Sequence, residues 1–66
     1  MGERYSVVAF WPDGESHRIA KSMSAEEAVH KLRQLSEAPT APWSSVSRLI
    51  VTTDNGGAIV HDWRRK

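Results

Sequence analysis

The chain has no cysteine among its 66 residues. Disulfides and thiolate zinc sites are therefore excluded, and a reducing compartment fits that absence. No apolar run approaches the ~20 residues that a membrane-spanning helix needs. The start, Met1-Gly2-Glu3-Arg4, has none of the apolar character of a signal-peptide core. The expectation is a cytoplasmic protein without membrane contact. Charge excess is missing as well. Nine Lys and Arg stand against eight Asp and Glu, whereas a dedicated nucleic-acid binder carries a larger basic surplus.

Length narrows the reading further. A chain of this size makes a single domain, 1–66, and buries only about 60% of the surface exposed by its unfolded form. Small folds lean on disulfides, a structural metal or a partner subunit. With disulfides and thiolate metal sites gone, oligomerisation is the support that stays open.

What is present is two pairs of alternating hydrophobic runs around one amphipathic segment. In Arg4–Trp11, Tyr5, Val7, Ala9 and Trp11 share one strand face, and Ser6, Val8 and Phe10 share the other. Both faces are apolar, which predicts a central strand. Pro12 cannot donate to a ladder, and Asp13-Gly14 is a strong turn signal. The return run, His17–Met23, sets His17, Ile19, Lys21 and Met23 against Arg18, Ala20 and Ser22. It is more polar and suits a charge-guarded edge.

Ser24-Ala25-Glu26-Glu27 reads as a capping box that opens a helix. Ala25, Ala28, Val29, Leu32 and Leu35 recur at helical spacing and make one apolar stripe. His30 falls on the solvent side, and Pro39 ends the helix near Glu37. After a stiff Ala38–Trp43 linker, whose Trp43 is expected to fold over the edge of the core, comes the third run, Val46–Thr53. Its Leu49-Ile50-Val51 centre is apolar on both faces. Asp54-Asn55-Gly56-Gly57 makes a hairpin turn. The last run, Ala58–Trp63, sets Ile59, His61 and Trp63 against Ala58, Val60 and Asp62.

These elements predict an α+β fold of β-β-α-β-β order. Placing the two double-faced strands centrally, with a right-handed crossover, gives a four-stranded antiparallel sheet of order 2-1-3-4 with one helix on one face. The opposite face then keeps apolar residues: Val8, Phe10, Leu49 and Val51, or else Tyr5, Val7, Trp11 and Ile50. Contiguous exposed apolar surface marks a partner site. The expected activity is a non-catalytic protein-interaction module, a homodimer or a complex with another protein. Its contact would be the free sheet face, with Tyr5, Val7, Trp11 and Ile50 as interface residues, or an edge strand. The competing expectation is a monomer in which Trp43, the proline linker and arginine stems cover that face.

The chemistry of single sites adds little. His17 and His61 belong to opposite edges of such a sheet, so neither is expected to share a metal within one chain. His61 and Asp62 point to opposite faces. No nucleophile elbow, phosphate-binding loop or calcium loop is present. No cofactor, metal or catalytic residue is assigned, and an enzyme site shared between subunits is the remotest reading. The serious rival is nucleic acid. Trp63-Arg64-Arg65-Lys66 gives a basic, aromatic-tipped end, and Arg18, Lys21 and Arg48 add cations on the sheet rim.

Overall fold

In the computed structural model, which describes residues 2–65, the elements run β1 (Tyr5–Phe10), β2 (Ser16–Met23), α1 (Ala25–Ser36), β3 (Arg48–Thr53) and β4 (Ile59–Arg64). A single 3-10 turn, Trp43–Ser45, leads into β3. The four strands form one sheet of order β2-β1-β3-β4, and every neighbouring pair is antiparallel. The expected α+β architecture is thus the one observed.

Local chemistry explains the boundaries. Pro12 closes β1, and Gly14 takes φ 94°, a conformation that costs glycine nothing. Asp13 fixes the turn by accepting the Glu15 N–H at 3.0 Å. At the start of α1 the Ser24 hydroxyl accepts the Glu27 N–H at 3.2 Å, and the Glu27 carboxylate accepts the Ser24 N–H at 3.1 Å. Both halves of the capping box are made. Glu37 is the C-cap, two residues before Pro39.

The core lies between α1 and one face of the sheet. Val7, Ala9, Leu49 and Val51 meet Ala28, Leu32 and Leu35 there, and Val46 closes the group. Val29 is half-buried and Ala25 exposed, so the stripe is buried along only part of its width. Trp43 folds over the core edge as expected. Its ring lies 5.9 Å from that of Trp11, and the Trp11 indole donates to the Pro42 carbonyl at 3.0 Å.

Register is where the structure departs from the sequence pattern. Val7 pairs with Val51, Ala9 with Leu49, and Val8 with Ile50. Tyr5, Val7 and Trp11 therefore share the helix side with Leu49 and Val51, while Val8, Phe10 and Ile50 share the other. Each apolar set expected on the free face mixes residues of both sides, and the pairing corrects that grouping. The edges also break strict alternation. The pairing steps from Val7–Ala20 to Val8–Arg18, leaving Ile19 as an extra residue packed on the core. A second irregularity falls near Ser22, whose φ is 57°. In β4 the pairing steps from Val51–His61 to Thr52–Ile59. This bulge at Val60 places Ile59 with Asp62 rather than with His61.

Candidate functional site

The face away from α1 is laid out in three rows across the strands. Phe10 sits between Ser16 and Arg48, and Arg48 is opposite Arg64. The next row runs Arg18, Val8, Ile50, Asp62. The third joins Ser6, Thr52 and Ile59. The face is thus a small apolar centre with cations at its rim.

Arg48 and Arg64 face each other directly, an arrangement that is repulsive by itself. Asp62 resolves it. Its two oxygens accept from Arg48 Nε at 3.0 Å and a terminal guanidinium nitrogen at 2.8 Å, and Arg64 comes within 3.6 Å. The bidentate hydrogen bond from Arg48, with the charges of Arg48 and Arg64, holds the Asp62 carboxyl below its usual range. The same bond raises Arg48 further. The Arg48 guanidinium also lies over the Phe10 ring, 5.4 Å from its centre. Ile50, in the middle of this face, is only 6% exposed even though no helix covers it. Val8 and Asp62 pair with it on either side.

Among the described residues the exposed large hydrophobics lie instead on β4: Ile59 is 52% exposed and Val60 53%. This edge strand exposes five of its six residues. The other edge is better guarded. β2 carries Arg18 and Lys21, both exposed, and two irregularities that interrupt a flat ladder.

At the far end of the face, Asp54 gathers three strands. Its carboxylate accepts the Ser6 hydroxyl and the Ser22 N–H at 3.0 Å, while its own N–H donates to the Arg4 carbonyl at 2.8 Å. Ser6 is 1% exposed, so this carboxylate satisfies a buried hydroxyl. The sequence shows Asp54 only as a turn residue. Its reach to Ser22, far away in the chain, leaves no local signal.

The expected site residues are dispersed. Of the interface set, Val7 is fully buried under α1, Tyr5 and Trp11 pack at the rim of the same core, and only Ile50 belongs to the free face. Of the nucleic-acid set, Arg18, Arg48 and Arg64 share the free face, and Lys21 is exposed on the β2 edge. Trp63 packs against the core on the helix side. Arg65 is committed to the fold. It donates to the Val46 carbonyl at 2.8 Å and the Trp43 carbonyl at 3.3 Å, and lies over Trp63 at 5.2 Å. Lys66 is outside the described residues.

Elsewhere an open hollow of about 320 Å³ is lined by Trp11, Asp13, Glu15, His17, Pro42 and Ser45. His17 and His61 stand on opposite edges and His30 is exposed on α1. Among the described residues no three His, Cys, Asp or Glu cluster as a metal site would require, and no helix is long and apolar enough to cross a membrane. No protein-family model, curated protein or solved structure matches the chain.

Proposed function

We propose that the protein is a non-catalytic association module whose β4 edge pairs with β4 of a second copy. The observation that carries this reading is the exposure of Ile59 and Val60 on an edge strand whose outer backbone groups have no strand beside them. Of the charged residues of β4, Asp62 holds Arg48 on the sheet face, and Arg64 comes within 3.6 Å of the same carboxylate.

Pairing through the edge is favoured over stacking of the free faces. Stacked faces would bury Arg18, Arg48 and Arg64 of both copies with only Asp62 of each to balance them, and charges taken out of water without full pairing cost several kcal/mol. A two-fold antiparallel pairing of β4 has no such conflict. It sets the Ile59–Val60 end of one copy beside the Trp63–Arg64 end of its mate and extends the sheet to twice its width.

The magnitudes are modest. Covering the half-exposed Ile59 and Val60 contributes about 1 kcal/mol for each side chain, and each new backbone hydrogen bond adds about 1 kcal/mol net. Association costs offset several kcal/mol of this. The expected affinity is therefore weak, in the micromolar range.

Amide hydrogen exchange at two protein concentrations tests the reading. The outward amides of β4 are expected to gain protection on concentration, while those of β2 stay unchanged. Equal exchange of β4 at both concentrations would contradict it.

A further inference from the structure

We infer that the helix-free face also binds single-stranded nucleic acid, with the Arg48 guanidinium as a stacking plane and Arg18 and Arg64 as phosphate contacts. The starting point is how Arg48 is held. Two of its in-plane donors, Nε and one terminal nitrogen, are held on the two oxygens of Asp62, and the guanidinium carbon lies over the Phe10 ring, 5.4 Å from its centre. The side chain nevertheless keeps 31% of its surface exposed. A guanidinium pinned in its own plane and backed by an aromatic ring is a pre-ordered platform for a nucleobase.

Asp62 neutralises most of the charge of Arg48, so attraction must come from its neighbours. Arg64 is the freer of the two arginines on Asp62, with 70% of its side chain exposed. Arg18 is exposed on β2, in the row that contains Val8 and Ile50. The two flank the platform on strands three spacings apart, about 14 Å at the level of the sheet. Lys21 adds an exposed cation on the β2 edge. Cations around a stacking plane complement a chain of phosphates with exposed bases.

The same geometry selects against duplexes. A base reaches the Arg48 plane only when it is unstacked from its neighbours, and the face presents a flat sheet with no helix or ribbon projecting into a groove. The site also differs from the one the sequence suggests. Trp63 is turned to the core and Arg65 is spent on carbonyls; Phe10, which the sequence did not suggest, joins Arg48, which it did. Phe10, Arg48 and Arg18 lie off β4, so substitutions at Arg48 and Arg18 leave the residues of the proposed self-association strand in place; Arg64 and Asp62 are the residues the two surfaces share.

The test is fluorescence anisotropy of a labelled single-stranded oligothymidylate of about ten nucleotides, at low and moderate salt, beside a duplex of the same length. The single strand is expected to bind more tightly than the duplex, with affinity falling as salt rises. Arg48→Lys keeps the charge but loses the plane, and is expected to weaken binding about tenfold. Arg18→Glu, at an exposed position, is expected to weaken binding and reduce the salt dependence. Circular dichroism of both variants should match that of the unsubstituted protein. Absence of binding at low salt, equal affinity for duplex and single strand, or full binding by folded Arg48→Lys would each overturn the inference.

Discussion

The Asp54 carboxylate accepts the N–H of Ser22 at 3.0 Å, and Ser22 is the one non-glycine residue with positive φ among those described. The left-handed conformation is disfavoured for serine by roughly 1–2 kcal/mol. The carboxylate that holds it also satisfies the buried Ser6 hydroxyl. One side chain of the second hairpin thereby fixes the end of the first.

Asp54→Ala is expected to destabilise the fold by about 1–3 kcal/mol, because it leaves the Ser6 hydroxyl buried without an acceptor. Ser22→Gly is expected to act in the opposite sense, by up to about 1 kcal/mol, since glycine adopts positive φ without steric cost but loses more chain entropy on folding. Urea denaturation of the two variants measures both signs. A neutral Asp54→Ala would show that the contact carries no stability.

Arg65→Met is expected to cost about 1–3 kcal/mol, the usual consequence of losing charged hydrogen bonds to carbonyls that the fold covers. Arg65 reaches the Val46 and Trp43 carbonyls and stacks on Trp63. Arg65→Lys should rescue little, because an ammonium cannot reproduce the fork. Thermal melts, with tryptophan fluorescence reporting on Trp43 and Trp63, distinguish this clamp from a solvated basic end.

Two carboxyls, Asp62 and Glu27, sit below their ordinary range, the first through the Arg48 hydrogen bonds and the second through the Ser24 backbone N–H. A carboxyl depressed by folding binds its proton more readily in the unfolded chain. Its contribution is therefore complete above the unfolded value, near pH 4, and is lost as pH falls through the folded value. The melting temperature should decline on acidification in that window. Asp62→Asn is expected to flatten the decline, and an unchanged acid slope would remove Asp62 from the account.

Ser24→Ala removes the acceptor for the Glu27 N–H and is expected to cost about 1 kcal/mol. Far-ultraviolet circular dichroism during urea denaturation checks this, and a loss well below that figure would show that Glu27 alone caps α1.

The order of elements was legible because its signals are local. Pro12 and Asp13-Gly14, the Ser24–Glu27 box and Asn55-Gly56 each act within a few residues. The doubly apolar centres Val7–Val8 and Leu49–Ile50–Val51 then place β1 and β3 inside the sheet. Face assignment was not legible, since it depends on register, and a slip of one residue exchanges the faces. The extra residues at Ile19, Ser22 and Val60 compound this by breaking alternation within β2 and β4. The parts of the candidate site that matter most are contacts between distant segments: Arg48 on Phe10, Asp62 on Arg48, Asp54 on Ser22 and Arg65 on Val46. Composition and periodicity carry no trace of them. The single-residue exposure of Ile59 and Val60 likewise follows from β4 being an edge with a bulge.

Self-association through β4 is tested most directly by sedimentation velocity across a range of concentrations about the micromolar level, with Ile59→Lys and Val60→Lys run in parallel. The unsubstituted chain should move from a species near 7.4 kDa toward one of twice that mass as concentration rises, and both lysine variants should stay at the smaller mass. A chain that remains near 7.4 kDa at every concentration, or lysine variants that associate as readily as the unsubstituted protein, would contradict it.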